Sequence, residues 1–447
     1  MIKLLILFTT SAFVAPKPVF AHAIGQLYTL PLPLWLYLYG AGAALIVSFL
    51  LIGFFAKQSN QSLPHINIKV HPWLIYFFQA LSLGLFALTI FSGLFGSQSP
   101  IDSFAVNFFW IIFLLGFTYL SAILGNIWQI INPWKIIFSH LDFVKPKLSY
   151  PKNLAYLPAL IFYFILIWLE LLSGGLGVKP NTLSQILLIY STFTFIAVYL
   201  YGTDWFKYGE FFSVYFSLVG KLSFFQKTNS LLKEKADHLN LLLFILFMLS
   251  STAFDGFRAT SSWFRFYFNN LTPLENFLGE NGYQIVQTVL LLLSPLFFLS
   301  FYLLAIYCLK KITKTKLSIK DLSLNFAFSL IPIALAYNVA HYYTLLINSG
   351  QTFIALLSDP LNLGWNLLGT ADYIGNPYIL GASFIWHSEV VVIILGHILA
   401  VLFAHLIALK LFKRKQALIS QIPMLLLMVG YTITGLWILS QPLTQGG

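Results

Sequence analysis

Uninterrupted apolar runs, each long enough to cross a bilayer, recur along the whole 447-residue chain. A helix needs about 20 such residues to cross roughly 30 Å of hydrocarbon. Only 9% of the residues are charged, against about 25% in soluble domains, so a soluble fold would lack a polar surface. The runs are continuous rather than alternating, which excludes a transmembrane barrel. The sequence therefore predicts an all-α integral membrane protein.

We predict a single membrane domain over residues 22–447 with ten transmembrane helices. They lie near residues 33–56, 73–96, 104–131, 154–173, 183–202, 239–257, 283–308, 322–348, 388–409 and 421–440. Segment 205–220 is too polar to span, and we predict an amphipathic helix there on the inner membrane surface. Pro332 is expected to kink the eighth helix. The single cysteine, Cys308, excludes an intramolecular disulfide.

Residues 1–21 have the features of a secretory signal peptide. A basic residue, Lys3, precedes an apolar stretch, and Val19 and Ala21 stand where signal peptidase prefers small side chains. Cleavage after Ala21 makes His22 the new amino terminus. The alternative is an uncleaved first helix, since two prolines lie close to the cleavage site.

The basic residues indicate the orientation of the chain. With the mature amino terminus outside, 20 of the 25 Lys and Arg residues fall in loops on the inner side. Only Lys179, Arg258 and Arg265 lie outside once the two lysines of the signal are set apart. This predicts a bacterial inner-membrane protein with both mature termini on the outer side. The +11 net charge is then topological, so nucleic acid is not an expected partner.

The candidate functional residues are ionisable groups inside or beside the spans, where they are costly and function is the default hypothesis. Those predicted in the outer half are Glu170, Asp255, His341, His387, Glu389 and His397. Neutral imidazole is the commonest metal ligand, and carboxylates often complete such sites. The expected ligands of a divalent metal, copper or zinc, are His22, His341, His387 and His397. The expected catalytic carboxylates are Asp255 and Glu389.

Several of these residues also have a structural explanation. A buried His397 is explained by hydrogen-bonded packing, and His387 by a position at the membrane interface. Asp255 is explained by a local pair with Arg258, three residues further on. Spacing along the chain does not show whether the candidates meet in space.

Several segments carry a resemblance to a known family. They are His22-Ala23-Ile24-Gly25 with Leu30-Pro31-Leu32-Pro33, residues 93–100, Asn132-Pro133-Trp134, and residues 209–215, 251–257, 332–351, 358–360 and 385 onward. Here the sequence resembles a bacterial family of membrane proteins known as fenitrothion hydrolases, and it departs from them at Ala23 and Thr29. The resemblance implies hydrolysis of an organophosphate triester, but no particular catalytic residues. Such hydrolysis usually uses one or two metal ions.

Two functional hypotheses follow. The first is a metal-dependent membrane hydrolase acting on a hydrophobic small molecule that enters from the lipid or the periplasm. The second is a non-enzymatic transporter or copper-handling protein, indicated by Pro295 and Pro332 in long helices and by buried polar groups. A structural or assembly role is the third. No phosphate-binding glycine loop is present, so ATP is not an expected partner.

Overall fold

The regular elements of the described chain are all helices. The computed structural model describes residues 30, 32–55, 71–140, 146–223, 225 and 234–441. Within these ranges, nine helices are long and apolar enough to cross a membrane. The predicted signal peptide and His22 lie outside the described residues. The chain is thus an all-α multi-pass membrane protein, as the sequence predicts.

Each of the ten predicted helices is present, with ends that differ by a few residues. They are α1 (Leu34–Phe55), α2 (Pro72–Phe95), α3 (Phe104–Leu124), α4 (Leu157–Leu171), α5 (Pro180–Tyr201), α6 (Leu239–Arg258), α7 (Gly282–Thr313), α8 (Ile319–Ser349), α9 (Ala382–Leu411) and α10 (Ile422–Ser440). The 15 residues of α4 give it a length of about 22 Å, which is too short to cross roughly 30 Å of hydrocarbon unaided.

Prolines and side-chain caps mark where several helices begin. Pro72 and Pro180 stand in the first turns of α2 and α5, where a missing N–H costs nothing. At the start of α6, His238 Nδ1 accepts a hydrogen bond from the Asn240 backbone N–H. Ser318 caps α8 in the same way. His238, near the predicted inner end, therefore has a structural role.

The prediction of one helix over residues 104–131 is wrong at its end. The helix ends at Leu124 because Gly125 has a φ of 97°, a left-handed conformation that glycine adopts without steric cost. Two short helices follow, Trp128–Ile131 and Pro133–Ser139. Within α3, residues Asn107–Gly116 are π-helical, with a wider turn than the α-helix.

Helix α8 is interrupted next to its proline. The α-helix Ile319–Phe326 gives way to a 3-10 turn at Ala327–Leu330, and α-helix resumes over Ile331–Ser349. Pro332 has no N–H to donate, and its ring crowds the preceding turn, so regular α-helical bonding cannot run through this point. The irregular turn lies just before Pro332, which stands in the first turn of the resumed α-helix, and a kink at Pro332 stays a prediction.

The prediction of an interfacial helix over residues 205–220 is wrong. Two short helices lie there, Asp204–Tyr208 and Phe211–Gly220, and eight of the ten residues of the second are buried. It packs on α3 and α4, and its two partly exposed residues are Ser213 and Ser217. The carboxylate of Glu210 accepts hydrogen bonds from the first backbone N–H groups of this helix. Glu210 is therefore buried, whereas Lys207 of the same segment is exposed.

Helices α6 and α8 form the centre of the bundle. In each, 78% of the most apolar stretch is buried inside the protein, whereas the value for α2 is 6%. The most extensive pairing is between α8 and α9, while α6 packs against α7 and α8. Farther out, α1 pairs with α10 and α2 with α5. The apolar outward faces match hydrocarbon rather than water, so the lipid bilayer is a partner of this chain.

Candidate functional site

A fully buried carboxylate, Asp255, lies one turn before the end of α6. Its Oδ2 atom accepts hydrogen bonds from two neighbouring residues of α8, His341 Nε2 at 3.0 Å and the Tyr342 hydroxyl at 2.9 Å. Its Oδ1 atom lies 3.4 Å from Nε of Arg258. We call these four residues the Asp255 cluster.

A glycine allows the two helices of the cluster to approach. Gly256 follows Asp255, and a Cβ atom built on it would lie 3.5 Å from Cε1 of His341. The same Cβ atom would lie 2.9 Å from Cγ2 of Ile438 on α10. Small residues at helix contacts allow such close packing inside membranes. The Asp255-Gly256 pair therefore supplies both the carboxylate and the space for its imidazole partner.

The cluster combines a fully buried carboxylate with two partly exposed partners, Arg258 and His341. The side chain of Asp255 is 0% exposed, whereas Arg258 is 22% and His341 14% exposed. Glu170 of α4 lies within electrostatic range of both Asp255 and Arg258. A buried carboxylate without a positive partner is strongly destabilising, so Arg258 has a structural role here. His341 combines a fixed orientation with access from outside.

The described part of the chain does not bring the predicted metal ligands together. Nowhere in it do three His, Cys, Asp or Glu side chains lie close enough to hold one metal ion. Asp255 and His341 form a pair, but neither His387 nor His397 joins them in a group of three. His22 lies outside the described residues, so its place in a metal site stays a prediction.

His387 and Glu389 lie near the start of α9. His387 is exposed, with Nδ1 2.7 Å from the carbonyl oxygen of Ser383 and Nε2 3.3 Å from the hydroxyl of Tyr37 on α1. Glu389 is half-buried. The contacts of His387 join the first turns of α9 to α1, and its position at the membrane interface stays a prediction.

Two further histidines of α9 are buried within the span. His397 donates from Nδ1 to the carbonyl one turn earlier, at 2.8 Å, and its ring lies 5.9 Å from that of Tyr337. Its Nε2 atom has no hydrogen-bond partner among the described residues, and neither does either nitrogen of His405. Gly396 allows α8 to approach, because its Cβ atom would lie 2.2 Å from that of Ala336.

Tyr342, which shares the Asp255 carboxylate with His341, was not among the residues predicted from the sequence. A second buried carboxylate, Glu210, was not among them either. Its oxygens accept hydrogen bonds from the Tyr190 hydroxyl at 2.6 Å and from Asn132 Nδ2 at 3.2 Å. In the sequence, Glu210 stands between Gly209 and two phenylalanines. A carboxylate in such an apolar setting indicates a buried position.

No family model, curated protein or solved structure matches this chain. The hydrogen bond to Asp255 fixes the ring orientation of His341.

Proposed function

We propose that this multi-pass membrane protein is a metal-dependent hydrolase with its site in the predicted outer half of the membrane. The proposed substrate is a hydrophobic ester of the organophosphate triester class. The observation that carries the proposal is the hydrogen bond between His341 and Asp255. Metal-ligating histidines almost always donate their second ring N–H to a carboxylate, carbonyl or water. The sequence resemblance to fenitrothion hydrolases supports the same reaction class.

The proposed role of Asp255 differs from the catalytic role predicted from the sequence. His341 is the proposed metal ligand, and Asp255 holds its ring in place instead of binding the metal itself. A metal site needs about three protein ligands, so the proposal requires others, for which the amino-terminal nitrogen and imidazole of His22 are the candidates. Glu389 is the candidate base. A bound divalent metal would polarise the phosphoryl oxygen and activate water.

Hydrolysis by the purified full-length protein in lipid nanodiscs tests the proposal. The substrates are fenitrothion and a p-nitrophenyl phosphotriester, with release of the nitrophenol followed by absorbance. His341→Ala is expected to lower kcat/KM by about 100-fold or more, because loss of a ligand exceeds the 10–100-fold typical of residues that orient one. The matched control is His387→Ala, since His387 is the exposed histidine near the same end. Full activity of His341→Ala would contradict the proposal.

Transport is the second candidate function. The observation in its favour is that Nε2 of His397 and both ring nitrogens of His405, inside a span, have no hydrogen-bond partner among the described residues. Ionisable groups at such positions mark ion and proton pathways in many membrane proteins. Proteoliposomes with the wild-type protein would then take up a solute saturably, and the His397→Phe protein would not. If the wild type also showed no hydrolysis, transport would replace hydrolysis as the proposed function. Hydrolysis without uptake would exclude it.

A further inference from the structure

Residues 359–381 connect the short helix Thr352–Ser358 to α9 and display many apolar side chains. The exposed ones include Leu363, Trp365, Leu367, Leu368 and Ile374. Ile374 is 90% exposed, and both leucines at 367 and 368 are 65% exposed. The segment contains no Lys or Arg. A contiguous apolar patch of this kind marks an interaction surface rather than a loop adapted to water.

Polar side chains hold this loop in its shape. The Asp359 carboxylate accepts hydrogen bonds from the backbone N–H groups of Leu363, Gly364 and Trp365, at 2.9, 2.7 and 3.1 Å. Ser358 Oγ accepts two more backbone hydrogen bonds from farther along the loop. Asp359 and Ser358 therefore bond to the loop backbone, while the apolar side chains and the Asp372 carboxylate are exposed. An ordered loop presents these side chains at a lower entropy cost than a loose one.

The loop lies at the level where the spans end. Gly96 follows α2 directly, and a Cβ atom built on it would lie 3.3 Å from Cα of Leu361. Just before the loop, the ring of Phe353 packs on that of Phe104 at the start of α3, with centroids 5.2 Å apart. The loop thus lies at the end of the bundle where α2 ends and α3 begins.

The apolar face of the loop continues the outward face of α9. On that helix Phe384, Val391, Leu395 and Leu399 are exposed, and their spacing of seven and four residues places them in one stripe. Ile379, 52% exposed, lies just before the helix and extends the apolar surface into the loop. Exposed aromatic side chains, of which the loop also has several, are typical of bilayer interfaces.

We infer that the loop of residues 359–381 inserts its apolar side chains into the predicted outer leaflet and anchors this end of the bundle in lipid. The partner is the boundary between headgroups and acyl chains. Because the loop has no basic side chain, attraction to anionic headgroups contributes nothing, and buried apolar area drives insertion. The inference is independent of the proposed hydrolysis, since no residue of the Asp255 cluster belongs to the loop.

Spin labelling of the full chain in lipid nanodiscs tests this inference. The only cysteine is Cys308, so a Cys308→Ser background accepts single labels at chosen positions. The test positions are Ile374→Cys and Leu367→Cys. The lipid reference is Leu395→Cys on the outward face of α9, and the water reference is Lys179→Cys, exposed just before α5. All four positions are exposed, so labelling leaves the packing intact, which size-exclusion chromatography verifies.

The measured quantity is the ratio of label collisions with oxygen, which partitions into lipid, to collisions with a water-soluble nickel complex. The expected ratio at positions 374 and 367 is several-fold above that at 179 and close to that at 395. A ratio equal to that at 179 would overturn the inference. Low collision rates with both reagents would also overturn it, because they would show that protein rather than lipid covers the loop.

Discussion

Replacing Asp255 with alanine removes the acceptor of three side-chain donors at once. Leaving a buried donor unpaired costs about 1–3 kcal/mol, and this applies to the Tyr342 hydroxyl and to His341 Nε2. Arg258 adds little, because its contact is longer and its side chain is partly exposed. The expected destabilisation of Asp255→Ala is therefore about 3–5 kcal/mol, the range found when one partner of a buried pair is removed.

The free energy of unfolding can be measured by titrating the purified protein from mild detergent into SDS and following tryptophan fluorescence. Asp372→Ala is the matched control, since it removes an exposed carboxylate near the same predicted end, and its effect is expected within about 0.5 kcal/mol of zero. Tyr342→Phe, which removes one of the three donors, is expected to cost about 1 kcal/mol. A destabilisation of Asp255→Ala below about 1 kcal/mol would refute the reasoning, because it would mean that these hydrogen bonds do not form.

Three further predictions use the same unfolding measurement. Gly435→Ala is expected to destabilise by about 1–3 kcal/mol, because the new Cβ would lie 1.9 Å from the Tyr337 hydroxyl oxygen; an unchanged stability would show that α8 and α10 are less closely packed. Glu210→Ala is expected to cost about 1–3 kcal/mol, because it leaves buried donors of two side chains and two backbone groups without an acceptor; a neutral effect would contradict the buried network. Burial, and then two neighbouring tyrosine hydroxyls, raise the pKa of Tyr150 to about 12. The unfolded chain ionises near the ordinary value of about 10, so the stabilisation is full below pH 10 and is lost as the pH rises through 12. Tyr150→Phe is expected to weaken the fall in stability between pH 10 and 12, and an identical fall would refute this assignment.

The spans could be predicted from the sequence because hydrocarbon thickness sets their length and every residue in a run contributes to the signal. The ends of α5 and α6, for example, lie within three residues of the prediction. The break after Leu124 was missed because glycine is common inside membrane helices, and only its conformation at position 125 ends this one. Segment 205–220 was misplaced because the sequence does not distinguish a polar residue that caps a buried helix, here Glu210, from one that faces water.

The candidate site was predicted only in part. Asp255 and His341 were identified because placing an ionisable side chain inside a membrane costs free energy. Their hydrogen bond, however, joins positions 86 residues apart and depends on how α6 packs against α8. His387 was predicted for the same reason, but its side chain contacts Tyr37 of α1 and not the Asp255 cluster. Periodicity places a residue on a face of its own helix and carries no information on which helix lies opposite. Tyr342 was missed because a tyrosine carries no charge at neutral pH and is unremarkable in an aromatic-rich chain.

The metal content of the purified protein tests the central claim most directly. After exposure to copper or zinc and removal of excess by gel filtration, wild type is expected to retain stoichiometric metal by inductively coupled plasma mass spectrometry. His341→Ala is expected to lose it, and Asp255→Asn to bind about 10–100-fold more weakly, because Asp255 orients the ligand. His387→Ala, with the same elution volume, is expected to match wild type. A metal-free wild type, or equal metal in wild type and His341→Ala, would contradict the claim that His341 is a metal ligand.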